Sequence, residues 1–319
     1  MDLVLAIVAP GQGAQTPGFL APWLELPTFA TRLEWLSTVS GLDLVTLGTK
    51  GDADEIKDTA VAQPLLVAAG LAVLGELLPH GGTAGVATAV GPVVGCLAGH
   101  SVGELTAAAA AGVLSAEQAM VLVRERGRAM AAASANTPTG MTAVLGGDRE
   151  AVLAKLAQHG LTAANDNGAG QLVAAGTLEQ LAALAEDGPE KARLIPLSVA
   201  GAFHTKHMSP AVNHLADLSA SITPGQPSTR LLSNADGAVV TSGTEFLTRL
   251  VNQVSNPVRW DLCMATMMEL GVTGLIELLP GGTLTGLAKR GMRGVTGVAL
   301  KTPDDLDAAR GLLAEGAQS

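Results

Sequence analysis

The chain's clearest chemical signal is a serine between two glycines, in the run Gly99-His100-Ser101-Val102-Gly103. A Gly-x-Ser-x-Gly between a buried strand and a helix is a nucleophile elbow: the glycines let a strained turn pack tightly, and the turn lifts the hydroxyl clear of the sheet. The helix that follows aims free N–H groups and partial positive charge at a developing oxyanion. With 39 glycines in the chain the bare pattern can arise by chance, so its weight comes from its placement between strand and helix. The chemistry it points to is acyl transfer through a serine ester, with Ser101 as the nucleophile.

A serine hydroxyl needs a base within hydrogen-bond reach. The chain offers six histidines, at 80, 100, 159, 204, 207 and 214. His80 reads as a turn residue, His159 as a solvated helix end and His100 as a structural neighbour of the serine. His204, in Gly201-Ala202-Phe203-His204-Thr205, falls on a loop that could face a cleft. Asp217, Asp236 and Asp261 each read as surface or capping residues, so no third acid stands out. A backbone carbonyl can orient a histidine equally well, which makes a Ser-His dyad sufficient. Arg124, Arg126 and Arg128 share one predicted helix. Positions 124 and 128 lie on a common face and 126 points elsewhere. A run of this kind is ordinarily a solvated face, but an Arg126 turned into a pocket would offer a bidentate fork to a substrate carboxylate.

These residues need a scaffold, and the hydrophobic pattern supplies one. Leu3–Ala9 is a continuous apolar run ended by Pro10-Gly11, as expected of a strand buried on both faces of a parallel sheet. A helix is predicted over Pro64–Leu78, with proline in its first turn and Pro79-His80-Gly81-Gly82 as its stop, and a second strand over Val90–Ala98, interrupted by Gly91-Pro92. Glu104–Ala111 reads as a helix closed by Gly112. Ser115-Ala116-Glu117-Gln118 reads as a capping box opening a helix that runs to about Ala133. After a border at Ser134–Gly140 comes strand Met141–Leu145, helix Arg149–His159, strands Thr162–Asn165 and Gln171–Ala175, helix Leu178–Glu186 and strand Arg193–Leu197. That β-α-β-β-α-β order, about 60 residues long, is the split βαβ of ferredoxin-like domains. Beyond it a helix is predicted from His207 to about Ser221, a strand at Arg230–Ser233, a helix at Thr244–Gln253 and a strand at Thr273–Leu278. The fold class expected is α/β: an α/β-hydrolase-like large domain with a parallel sheet (1–134 and 206–319), an inserted ferredoxin-like small domain (135–205), and the active site in the cleft between them.

Composition narrows the partners. Apolar residues make up 48% of the 319 and aromatic ones 2%, so the core must be built from Ala, Val and Leu. A net charge of −10, with only 19 Lys and Arg, argues against a nucleic-acid binder. Cys96 and Cys263 match neither a disulfide framework nor a zinc spacing and read as buried thiols; no metal site is expected. The N-terminal apolar run is too short for a signal core or a membrane span, and the most apolar helix carries Gly70, Gly75 and Glu76, which predicts a soluble cytoplasmic protein with no membrane partner.

Over nearly its whole length the chain resembles the malonyl-CoA:acyl carrier protein transacylases and the acyltransferase domains of polyketide and fatty acid synthases. Pro10-Gly11-Gln12-Gly13-Ala14-Gln15 is similar to the family's Gly-Gln-Gly-x-Gln loop, and Gly99-His100-Ser101-Val102-Gly103-Glu104 to its elbow. Arg126-Gly127 stands 25 residues after the serine, where the family has its carboxylate-binding arginine. Ala202-Phe203-His204 resembles the motif ending in the catalytic histidine, and Gln253-Val254-Ser255-Asn256-Pro257-Val258 the Gln-x-x-Asn-Pro-Val segment.

The resemblance implies Ser101 as nucleophile, His204 as base and acid, Arg126 as partner of the malonyl carboxylate and Gln253 as the source of a carbonyl orienting His204. It implies backbone N–H groups of Gln12 and Val102 as the oxyanion hole, Gln63 as a further active-site glutamine, and Phe203 as a mark of malonyl selectivity. Three departures stand out: Gly201 where selective synthase domains commonly have His, Asn167-Gly168-Ala169 in place of Asn-Ser-Pro, which leaves Asn167 with no role carried over, and Leu279 ahead of Pro280-Gly281. The activity implied is ping-pong transfer of malonyl from malonyl-CoA to the phosphopantetheine thiol of holo acyl carrier protein, for fatty acid and in some settings polyketide synthesis. Coenzyme A thioester enters as substrate and no bound cofactor is expected. Lys206, Lys289, Arg290 and Arg293 are candidates for a carrier-docking patch, or else a solvated helix face. The alternatives are a serine esterase, a trans-acting polyketide acyltransferase using another acyl-CoA, and a non-catalytic synthase scaffold.

Overall fold

The computed structural model describes residues 4–78, 90 and 93–316. The predicted stop at residues 79–82, with His80, and the Gly91-Pro92 interruption lie outside them. The strands are β1 (Val4–Ala9), β2 (Cys96–Gly99), β3 (Thr139–Gly146), β4 (Thr162–Asp166), β5 (Gln171–Thr177), β6 (Ala192–Pro196), β7 (Arg230–Leu232), β8 (Val239–Val240), β9 (Val258–Arg259), β10 (Val272–Glu277) and β11 (Thr296–Ala299). The helices are α1 (Pro27–Ser40), α2 (Leu44–Lys50), α3 (Thr59–Leu77), α4 (Gly103–Ala110), α5 (Ala116–Ala135), α6 (Arg149–Gln158), α7 (Leu178–Glu186), α8 (Ser209–Ser219), α9 (Gly243–Gln253), α10 (Trp260–Glu269), α11 (Thr283–Gly291) and α12 (Leu306–Gly316).

Two sheets organise the chain. The first has the order β11-β10-β1-β2-β7-β8 and is parallel except for the β7–β8 pair. The apolar run of β1 is buried on both faces, as its unbroken pattern predicts. Leu5, Ile7 and Ala9 join one hydrophobic cluster and Ala6 and Val8 another. The second sheet has the order β6-β3-β5-β4-β9. Its first four strands, with α6 and α7, form the expected ferredoxin-like unit around Val144, Val152, Leu156, Leu172 and Leu184. The fifth is unexpected: β9, directly after Asn256-Pro257, adds in parallel to β4 and ties this sheet to the chain that carries Gln253.

Three elements differ from expectation. Helix α3 starts at Thr59, because the Asp58 carboxylate accepts the Ala60 N–H as an N-cap; Pro64 therefore sits inside the helix rather than in its first turn. By length and composition α3 could cross a membrane, but 78% of its apolar stretch is buried within the fold. Strand β2 begins only at Cys96, where its pairing with Ala6 begins. The helix expected from His207 opens as a short 3₁₀ turn at Lys206–Met208 and becomes α-helical only at Ser209-Pro210.

Candidate active site

The elbow lies where β2 meets α4. Ser101 has φ 54°, a left-handed conformation that costs a non-glycine residue about 1–3 kcal/mol. The flanking glycines allow it: a Cβ on Gly99 would sit 2.0 Å from the Gly103 carbonyl carbon, and one on Gly103 would sit 2.2 Å from the Ala9 oxygen. Strand, turn and helix are packed backbone against backbone, and only glycine fits at either contact.

His204 faces the serine, also in a left-handed conformation with φ 59°. Its Nδ1 lies 2.8 Å from the Gln253 carbonyl and its Nε2 lies 2.7 Å from Ser101 Oγ. A carbonyl only accepts, so Nδ1 carries the ring proton and Nε2 is the free lone pair that accepts from the serine hydroxyl. Burial, reinforced by the Arg126 charge, lowers the His204 pKa to about 3, so the ring is neutral and able to take a proton. Among the described residues no carboxylate is hydrogen-bonded to the imidazole, an arrangement compatible with a Ser-His dyad. Asp236 pairs with Arg249, Asp261 pairs with Arg259, and Asp217 is exposed.

Arg126 is separated from its helical neighbours in the expected way. Arg124 and Arg128 hold Glu125 at the surface, whereas Arg126 is 4% exposed. Its Nη1 donates to Gln63 Oε1 at 2.6 Å and its Nη2 to Gln253 Oε1 at 2.8 Å, leaving Nη2 3.5 Å from Ser101 Oγ. Burial lowers its pKa to about 10, so it remains a cation at neutral pH. Beside it, a cavity of 10 Å³ walled by Leu105, Leu122, Leu215, Leu250 and Val251 has room for one water at most. Two glutamines thus fix the guanidinium, which keeps part of its five-donor fork for a ligand.

The other residues singled out from sequence fall around this centre. Phe203 is buried immediately before His204. The loop at Gly11 runs against His100, whose carbonyl oxygen a Cβ there would approach to 2.9 Å, and this brings Gln12 beside the elbow. The backbone N–H groups of Gln12 and Val102 donate to no protein acceptor among the described residues. His100 is structural: its ring packs against Trp260 with centroids 5.7 Å apart, and its Nε2 lies 2.8 Å from Asn167 Oδ1. His159 and His214 pair with Asp187 and Glu125, away from the site. Cys96 and Cys263 are buried free thiols, and burial pushes the Cys96 pKa up to about 12. Among the described residues no His, Cys, Asp and Glu cluster could hold a metal.

Sequence reasoning missed three neighbours of the nucleophile. Asn167 is buried and holds His100. Asn234, wholly buried, accepts the Ser101 N–H at 2.7 Å. Glu104 accepts the Asn234 N–H at 2.6 Å and a bond from Gln253 Nε2, and burial raises its pKa to about 8. A visible signal existed for Glu104, an acid immediately ahead of the run Leu105-Thr106-Ala107-Ala108; Asn234, just past a predicted strand, offered less.

Comparison with known proteins supplies the family. The family model for the acyl transferase domain matches residues 7–303. The malonyl CoA-acyl carrier protein transacylase of Mycobacterium tuberculosis H37Rv is 51% identical over 304 residues, 95% of this chain and 98% of that protein. The crystal structure of MCAT from M. tuberculosis superposes with a TM-score of 0.90 at 50% identity, over 96% of this chain and 99% of that one. A malonyl-transacylase solved in complex with its type II polyketide acyl carrier protein gives a TM-score of 0.87 at 32% identity, over 97% and 99% of the two chains. An elbow serine facing a neutral histidine, with a buried arginine beside both, is thus set in a matching sequence and fold: the chain belongs to the acyl transferase family, among the malonyl-CoA:acyl carrier protein transacylases.

Proposed function

We propose that the chain moves malonyl from malonyl-CoA to the phosphopantetheine thiol of holo acyl carrier protein through a malonyl ester on Ser101, supplying extender units for fatty acid synthesis. In the first half-reaction Ser101 Oγ attacks the thioester carbonyl as its proton passes to His204 Nε2. The N–H groups of Gln12 and Val102 hold the oxyanion, each contributing about 3 kcal/mol in the transition state. Collapse of the tetrahedral intermediate breaks the C–S bond, and His204 returns the proton to the departing thiolate. In the second half-reaction the carrier thiol gives its proton to His204 and attacks the ester. The serine oxygen leaves and recovers the proton.

Arg126 binds the malonyl carboxylate. The Gln253 carbonyl holds His204 in the productive tautomer, and the Gln63 and Gln253 side chains aim the arginine fork. Phe203 closes the acyl pocket next to the base. Residues 1–134 and 206–319 form the catalytic domain and 135–205 a small domain bordering the cleft, with β9 and the His100–Asn167 bond joining the two. The enzyme works in the cytoplasm, and the coenzyme A thioester is a substrate rather than a bound cofactor.

One observation carries this reading over an esterase: a buried arginine 3.5 Å from the nucleophile, an arrangement that suits a carboxylated acyl group and has no use for a neutral ester. Replacing Arg126 by Ala is expected to slow malonyl transfer about 100-fold or more, while acetyl transfer changes by less than about 10-fold. Equal losses for the two acyl groups would remove the carboxylate role.

A further inference from the structure

We propose that Asn234 is a positioning residue for the reaction: its carboxamide sets both the Ser101 hydroxyl and the oxyanion-binding N–H of Val102. The proposal rests on Ser101 being the nucleophile. The amide has one accepting and one donating end, and both are used on the elbow. Oδ1 accepts the Ser101 N–H at 2.7 Å and Nδ2 donates to the Gly99 carbonyl at 2.7 Å, so one side chain grips the backbone on either side of His100.

Asn234 is itself pinned. Its N–H donates to Glu104 Oε1 at 2.6 Å and its carbonyl accepts the Arg259 N–H at 2.8 Å. A third contact extends the grip. Gln253 Nε2 donates to the Ser101 carbonyl at 3.0 Å and lies 3.3 Å from Asn234 Oδ1. In a trans peptide C=O and N–H point in opposite directions. A Ser101 carbonyl turned toward Gln253 therefore turns the Val102 N–H away from it, out of the buried network. Without these bonds a serine at φ 54° would relax toward negative φ, carrying Oγ from His204 and the Val102 N–H from the oxyanion. Asn234 touches no reacting atom, so its effect belongs in the chemical step and not in substrate binding.

Asn234→Asp tests this. A carboxylate places an accepting oxygen against the Gly99 carbonyl, whereas the protonated acid has one O–H and one C=O and reproduces the amide. The titratable and charged groups around it are Glu104 on α4, Cys263 and Asp261 on α10, Arg259 on β9, Asp236 two residues along, His100, His204, Arg126 on α5 and, farther out, Arg249 on α9; all are common to parent and variant. The measurement is single-turnover acylation by malonyl-CoA, read by intact mass and normalised to folded protein, at pH 8 and pH 5.5. At pH 8 acylation by the variant should be about 10- to 100-fold slower than the parent's, with KM for malonyl-CoA within about 3-fold. At pH 5.5 it should return to within about 3-fold of the parent, and Asn234→Ala should be slow at both. Parental acylation by Asn234→Asp at pH 8, or equal slowness at both pH values, overturns the proposal. Failure of the Ser101 reading shows separately, as a parent enzyme with no adduct on that residue. Should Asn234→Ala not fold, the pH response of Asn234→Asp decides alone.

Discussion

The two sheets of this molecule solve opposite problems. The antiparallel one is built from near neighbours in sequence: β3 to β6 with α6 and α7 lie within Thr139–Pro196, its helices start on local caps such as Thr177 with Gln180, and its ion pairs Arg149–Asp166 and Lys155–Asp187 stay within that span. Only β9 comes from afar. The carboxyl edge of the parallel sheet instead gathers Gln63, Ser101, Arg126, His204, Asn234 and Gln253 from positions far apart. Both regions hold two non-glycine residues in left-handed backbone, Ala169 and Lys191 in the first and Ser101 and His204 in the second, but here all six gathered residues except Ser101 are at most 5% exposed. Contacts are local in the first region; in the second, buried polar and charged groups are held in place by long-range hydrogen bonds. The comparison implies that changes in the antiparallel sheet should cost stability and spare chemistry, and that changes at the elbow should do the reverse or abolish both.

The largest effect is expected at Gly103. A Cβ there collides with the Ala9 carbonyl, so Gly103→Ala should leave no measurable acylation even where circular dichroism shows a folded chain. Near-parental acylation would mean that the elbow is not tightly packed. Next comes Leu156→Ala in the small core, where Leu156 is 1% exposed. Denaturant titration should show a loss of about 2–5 kcal/mol, with kcat per folded molecule within about 3-fold. A large fall in kcat would erase the contrast between the sheets.

The smallest effect concerns pH. His204 is neutral in the fold, with its pKa lowered from 6.5 to about 3, so below pH 6.5 the unfolded chain takes up a proton that the folded one refuses. Stability should therefore fall as pH drops from 6.5 to 5, by about 2 kcal/mol from this residue. His204→Gln should lose that much less over the same range, and an equal loss would show that the imidazole is not held neutral.

Much of this was legible beforehand, for physical reasons. The elbow glycines, the Ser115 capping box and the β-α-β-β-α-β order are local patterns, and each is where the residues predict it. Arg126 separated from Arg124 and Arg128 by helical geometry alone. The family resemblance pointed to His204 and Gln253, and the geometry around them now stands on distances. What escaped were contacts between distant segments. Asn234 lies 133 positions from Ser101, Asn167 lies 67 from His100, and two-residue β9 has no pattern of its own. Helix α3 starts five residues before Pro64 because the Asp58 cap, and not the proline, sets its first turn.

The most direct test of the chemistry is to incubate the enzyme with malonyl-CoA in the absence of carrier protein, then digest it and map the adduct by mass spectrometry. A malonyl ester on Ser101 that is discharged by holo acyl carrier protein and absent from Ser101→Ala is the expected result; a stable adduct on any other residue, or transfer to the carrier by Ser101→Ala, would contradict it.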